Sequence, residues 1–479
     1  MKLLTDNPLI ERYRFSSLRP KQCYVYGSIF TVIVFILFMV NLAAYFEAAA
    51  FGSITEMFSS LYYQLYFLLF VVACIFSASS TATALRDEFV ERSYDFFRML
   101  PLSAHYKATG IMIGRNLLTF IIAGVLATVV MFTGILGGIS PLLIIQMLFC
   151  AGSIAVLFNL MGLFSSINPN RKITTRQGQS SGPVLTILLV IPCLVIMLII
   201  SDDLSSWDQL MVSFFGIEVP ILFLIAVLAL YLSIWLYLGI CRKFDREGEP
   251  VMTKSGAIFF LLGAMTILLG LLGPHMDGPE YSDAVPAFWI VSFLIAVLLP
   301  PGFCLTRQRY MEVRSLNSEL PMREFLLRHS NLSVCVALYL IWAVFALGTA
   351  LYAPSSIVNP AIHLLNLFTF YLVFCLLIEI SQVADAANSR LRVLLAFLGI
   401  LFIFLPLIVA ATLSSGGAAV FSLFGYFFFI AERESLSDIP AASIVSVLNL
   451  CFIAVLGVIV RQAYDSLFGS KVSSADTQS

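Results

Sequence analysis

The stretch Leu61–Arg115, LYYQLYFLLFVVACIFSASSTATALRDEFVERSYDFFRMLPLSAHYKATGIMIGR, decides the fold of this chain. Residues 61–83 carry no charge, whereas 84–115 hold Arg86, Arg92, Arg98, Lys107 and Arg115 among several acids. About 20 mainly apolar residues suffice to cross roughly 30 Å of hydrocarbon, so the first part reads as a membrane span and the second as a charged loop. Outward from it the pattern repeats. An apolar run at 116–137 follows, then a short gap without Lys or Arg, then another apolar run at 141–166.

The remaining basic residues keep to this beat. Lys2, Arg12, Arg14, Arg19 and Lys21 precede the first run, and Arg171, Lys172 and Arg176 follow the fourth. Arg242, Lys243, Arg246 and Lys254 fill the central gap. Arg307, Arg309, Arg314, Arg323 and Arg328 come next, then Arg390 and Arg392, then Arg461 and Lys471. Of 27 Lys and Arg residues only Arg433 lies in an intervening gap. Short basic loops stay in the cytoplasm, so both termini are expected there and the number of spans is expected to be even.

Composition agrees. Hydrophobic residues make up 60% of 479, charged residues 11%, and the mean hydropathy is +0.97. These values exceed those of soluble globular chains. A net charge of -1 with no clustered basic face argues against a nucleic-acid partner. The nine cysteines sit in or beside apolar runs and follow no metal or disulfide spacing, so they read as small buried apolar residues. The first run lacks a small-residue cleavage site after it and reads as a retained span, not a signal peptide.

Runs of span length lie near 25–45, 61–83, 116–137, 141–166, 183–201 and 219–241, and again near 257–273, 286–306, 332–352, 362–383, 393–413 and 443–461. The expected fold is therefore an all-α polytopic membrane protein of about twelve helices, since helices satisfy their own backbone in lipid. It divides into two six-helix halves, 1–244 and 245–479. In each half a long charged cytoplasmic segment (84–115, 307–331) joins the second and third spans. The fifth and sixth are joined by an apolar outer segment too short to cross (202–218, 414–442), read as an interfacial or re-entrant helix.

Within 86–100, Glu88, Glu91, Arg92, Asp95 and Arg98 recur at helical spacing opposite Phe89, Val90, Tyr94, Phe97 and Leu100. This is an amphipathic helix continuing from the second span and ended by Pro101. Such a helix either closes a loop at the interface or presents its acidic face to a cytoplasmic partner. The run Glu91-Arg92-Ser93-Tyr94-Asp95-Phe96-Phe97-Arg98-Met99-Leu100-Pro101-Leu102-Ser103 resembles the coupling-helix signature of ABC-2-type permeases, the membrane subunits of a class of ATP-binding-cassette transporters. It has Ser93-Tyr94 where the family usually carries Gly-Thr, and is one residue shorter there. The opening Asn7-Pro8-Leu9-Ile10-Glu11-Arg12 is similar to the family's connecting helix, which lies flat on the cytoplasmic face. Half a chain later, Arg314-Ser315-Leu316-Asn317-Ser318-Glu319-Leu320-Pro321-Met322 repeats the signature weakly, with Glu312 and Glu319 as acidic contacts.

The resemblance implies two fused permease halves, each docking one copy of an ATPase through Glu88, Glu91, Asp95, Arg98, Pro101, Leu102 and Ser103 in the first and Glu312, Glu319 and Pro321 in the second. It implies ATP and magnesium on that partner subunit, no cofactor on this chain, a bacterial inner membrane location and export of the cargo. The chain itself has no Gly-rich Lys-Ser/Thr loop for phosphate, so it is not expected to be an enzyme.

Two further features bear on a substrate path. The small-residue run Ser77–Ala84, including Ser77, Ser80 and Thr81, permits close helix packing and could alternatively line a pathway. Glu379 is the one clear ionisable residue within the spans, either snorkelling to the inner surface or functional. Asn41, Asn159, Asn366, Asn449 and Gln146 are expected to tie helices together. Spans so poor in charge suit a hydrophobic or amphipathic cargo. The competing class is a twelve-span secondary carrier of the major-facilitator pattern, which would need mid-membrane charges and a longer central loop. A scaffold or lipid-modifying enzyme is a third, for which no cluster of His, Asp or Ser speaks.

Overall fold

The computed structural model describes residues 7–46, 53–90, 101–167, 211–245, 249–275, 284–303, 312, 331–352, 360–383, 447, 449–451 and 453–462. These form two compact units, 1–212 with 218–247 and 213–217 with 248–479. The described chain is mostly helical, and nine of its helices are long and apolar enough to cross a membrane. A further apolar helix, Asn449–Gln462, is shorter. The runs expected at 183–201 and 393–413 lie outside the described residues.

In the first unit, helix α1 (Pro8–Ser17) starts on an Asn7 cap whose Oδ1 accepts from the Leu9 N–H at 3.0 Å, with proline at the first turn, where its missing N–H costs nothing. Helix α2 (Pro20–Phe46) is the first span and turns most of its apolar surface outward, as lipid allows. The second span is one continuous rod from Ile54 to Leu85: α3 (Ile54–Phe70), a π-helical stretch (Val71–Phe76) and α4 (Ser77–Val90). Helices α5 (Ala104–Arg115), α6 (Leu117–Leu136), α7 (Pro141–Ser166) and α8 (Ile221–Asp245) complete the unit. Tyr62 and Tyr66, both buried, reach from α3 to Met147 on α7, donating to its sulfur and its carbonyl, each at 3.1 Å. Asn41 of α2 donates to Gln64 of α3 at 2.8 Å.

Between α7 and α8 the chain departs from expectation. Residues 211–220 form a two-stranded hairpin, β1 (Met211–Phe214) and β2 (Ile217–Pro220), and not a re-entrant helix. Apolar and polar residues alternate through Val212-Ser213-Phe214 and Ile217-Glu218-Val219, which is the period of a strand. Phe215 (φ 50) and Gly216 (φ 80) both take the left-handed backbone that a two-residue hairpin turn needs. The rest of 202–218 and the whole of 414–442 fall outside the described residues.

The second unit is built from α9 (Lys254–Leu272), α10 (Ala284–Leu298), α11 (Pro300–Phe303), α12 (Leu332–Tyr352) and α13 (Pro360–Val383). Its core is aromatic. Phe293 and Trp342 meet edge-on with centroids 5.0 Å apart, and Trp289 meets Trp342 at 5.9 Å. Buried indoles need partners for their N–H groups. Trp289 donates to Thr349 and to the Ala346 carbonyl, and Trp342 to Ser292 at 2.8 Å. Asn449 donates to Thr369 of α13 at 3.0 Å.

Candidate functional site

Helix α4 runs to Val90, at the edge of the permease-like signature, and the last residue of that signature caps the next helix. Glu88 lies on α4, which carries the second span past the apolar rod to Val90. Glu91, Asp95 and Arg98 lie outside the described residues. Pro101 is exposed, Leu102 packs half-buried against a cluster containing Leu9, Tyr13, Ala104, Ile111 and Leu163, and Ser103 caps α5 by accepting from the Tyr106 N–H at 3.5 Å. Leu102 and Ser103 thus have separate physical tasks: the first anchors the chain in apolar contact and the second starts the next helix.

Helix α5 is the seat of α1. Gly110 and Gly114 lie on one face, four residues apart; a Cβ on Gly110 would fall 2.8 Å from the Leu9 Cβ, and one on Gly114 would fall 2.9 Å from Tyr13. Asn7 Nδ2 donates across the contact to the Tyr106 carbonyl at 2.8 Å. Lys107 is buried in the same assembly. At Asn116 the chain kinks out of α5 and enters the third span, α6. On the other side of α5, the exposed His105 shares its Nδ1 with the Tyr237 hydroxyl at 3.2 Å and the Cys241 thiol at 3.4 Å, both on α8.

Ser77, Thr81 and Asn159 come together; Ser80 does not join them. Asn159 on α7 donates from Nδ2 to Ser77 Oγ at 2.8 Å and to the Ala155 carbonyl, and its Oδ1 accepts from Asn116 at 2.7 Å. Thr81 donates to the Asn159 carbonyl at 3.1 Å, and Ser77 donates to the Ala73 carbonyl within the π-helical stretch. All four side chains are buried, so their polar groups join α4, α7 and the start of α6. Gly162 completes the seam: a Cβ there would lie 2.5 Å from the Ala78 carbonyl oxygen. Half-buried Ser80 donates to the Arg115 carbonyl at 3.4 Å. Asn116 was not singled out in the sequence, although an amide between a charged loop and an apolar run is a legible signal.

In the second unit, Glu379 is 1% exposed and does not snorkel. Asn331, also buried, donates from Nδ2 to its Oε2 at 3.0 Å. The two lie at corresponding ends of α13 and α12, and one turn further in Cys335 and Cys375 face one another. Asn331-Leu332-Ser333 has the spacing of a glycosylation acceptor but is expected on the cytoplasmic side, where that modification does not occur; its asparagine is the buried partner of this carboxyl group. Glu312 is exposed and helical, while Glu319 and Pro321 lie outside the described residues. Among the described residues no group of three or more His, Cys, Asp or Glu is placed to hold a metal ion. No known protein family, curated protein or solved structure matches this chain.

Proposed function

We propose that this chain is the permease subunit of an ATP-driven transporter of the ABC-2 type, with two six-span halves fused in one polypeptide of a bacterial inner membrane. A separate ATPase, two copies of it, docks on the segments at 86–103 and 310–321 and holds the ATP and magnesium. The cargo is hydrophobic or amphipathic and moves outward. The observation that supports the reading is the assembly in which the second span runs on as α4 to the edge of the signature, Ser103 caps α5, and α1 lies seated on Gly110 and Gly114. A push on the signature would reach the third span through α5 and the bend at Asn116, so one partner's closure could shift the packing of several spans together.

Glu91→Lys or Asp95→Lys is expected to abolish stimulation of the partner's ATP hydrolysis while leaving insertion and folding unchanged. Unaltered stimulation in both variants would remove the docking role from this face. Glu379 favours a second reading, an ion-coupled carrier, because a buried intramembrane carboxyl group is a common coupling site. Transport by reconstituted vesicles separates the two. Uptake that runs on a proton or sodium gradient without nucleotide, and is lost in Glu379→Gln, selects the carrier; uptake that needs the ATPase and survives Glu379→Gln selects the permease.

A further inference from the structure

The second unit holds an open cleft of about 620 Å³, within the usual range of ligand sites. Its walls include Phe215 and Gly216 from the hairpin tip, Gly273 at the end of α9, and Val344, Gly348 and Tyr352 along the last turns of α12. Three of these are glycines, and a Cβ added to any of them would meet nothing within 4 Å among the described residues. Gly273 and Gly348 therefore leave volume open and do not serve helix packing among the described residues, while Gly216 is set by the hairpin turn. Gly270, one turn before Gly273, is the contrast: a Cβ there would fall 2.5 Å from the Phe214 ring.

The wall is built at a cost. A left-handed backbone disfavours a residue with a Cβ by about 1–2 kcal/mol, yet Phe215 holds φ 50. Its N–H donates to the Gly270 carbonyl at 2.9 Å, which pins the turn to α9 and leaves Phe215 55% exposed beside the cleft. None of the lining residues is charged. The Thr349 hydroxyl is committed, donating to the Ala346 carbonyl at 2.8 Å and accepting from the Trp289 indole at 3.1 Å. What remains is a surface for hydrocarbon. Leu272 and Tyr352 end α9 and α12 at the far ends from Lys254 and Leu332, and aromatic rings such as those of Phe215 and Tyr352 favour the border of a bilayer.

We infer that this cleft binds one acyl chain of an amphipathic lipid, with the polar head at the Tyr352 rim. That such a lipid is also the cargo rests on the permease reading; the binding itself does not. The test uses the full chain in phosphatidylethanolamine–phosphatidylglycerol vesicles containing a trace of phospholipid with a diazirine in its acyl chain. After irradiation, labelled residues are mapped by mass spectrometry. Labelling of 269–274 and 344–352 should exceed that of the outward-facing residues of α2 by about tenfold, a preference worth about 1.4 kcal/mol. Gly348→Trp, whose indole fills the open volume, should reduce it to the α2 level, as should Gly273→Leu if the first variant fails to fold. Val291→Trp, on an exposed part of α10, should leave it unchanged. Labelling at the α2 level in the native chain, as when another part of the chain covers the cleft, overturns the inference, and so does labelling indifferent to both filling variants. The readout needs no nucleotide or partner. Labelling without ATPase coupling keeps the site and removes its transport role, and coupling without labelling does the reverse.

Discussion

Asn159 is the side chain on which most of the first unit's buried polar chemistry converges. Its amide engages Ser77 on one helix and Asn116 at the head of another, and all three side chains are buried. Asn159→Leu removes one partner from each, leaving Ser77 on the Ala73 carbonyl and Asn116 on the Met112 carbonyl, and is expected to lower stability by about 1–3 kcal/mol, read as a lower unfolding midpoint in detergent. Ser80→Ala, which removes one long hydrogen bond from a half-buried site, should change the midpoint by less than about 0.5 kcal/mol. Equal losses in the two variants would mean that the hydroxyl-rich run acts as a whole and not through this network.

At the scale of elements, the contact between α1 and α5 depends on absent side chains. Gly114→Val places branched carbons where Tyr13 now lies and should lift α1 from its seat. With Leu9→Cys as reporter, at a position now buried, maleimide labelling should accelerate about tenfold in the Gly114→Val background, equivalent to about 1.4 kcal/mol of lost docking. An unchanged rate would show α1 held without the Tyr13 contact on Gly114. The hairpin shows the limits of reading by hydropathy. Trp207, Leu210, Met211, Val212, Phe214 and Phe215 in sequence suggested an apolar helix, but the described residues 211–220 alternate with period two around a Phe-Gly turn. A two-stranded ribbon is marginal alone. Here its tip gains a hydrogen bond and a close glycine contact on α9, neither of which a local window contains.

For the whole molecule, the distribution of Lys and Arg predicts orientation. Gly216→Cys at the hairpin tip should react with a membrane-impermeant maleimide in intact cells. Lys471→Cys should react only after permeabilisation. The opposite pattern would invert the chain and place the signature outside, beyond reach of any ATPase.

What the sequence determined is the membrane-spanning character of the chain and the register of its spans. Bilayer thickness sets a length that each apolar run must meet on its own, and the described helices at 20–46, 117–136, 141–166 and 332–352 follow those runs closely. The short helix expected after Ser103 was legible for the same reason: capping acts within four residues, and Ser103 supplies the cap. The tertiary structure alone decided which polar residues meet. Asn331 and Glu379, like Ser77 and Asn159, are distant in the chain, and only helix packing gives each a partner. It also decided that Gly110 and Gly114 seat a helix whereas Gly273 and Gly348 leave a space open among the described residues. A glycine in sequence records a missing side chain, and its meaning depends on what the folded chain brings beside it.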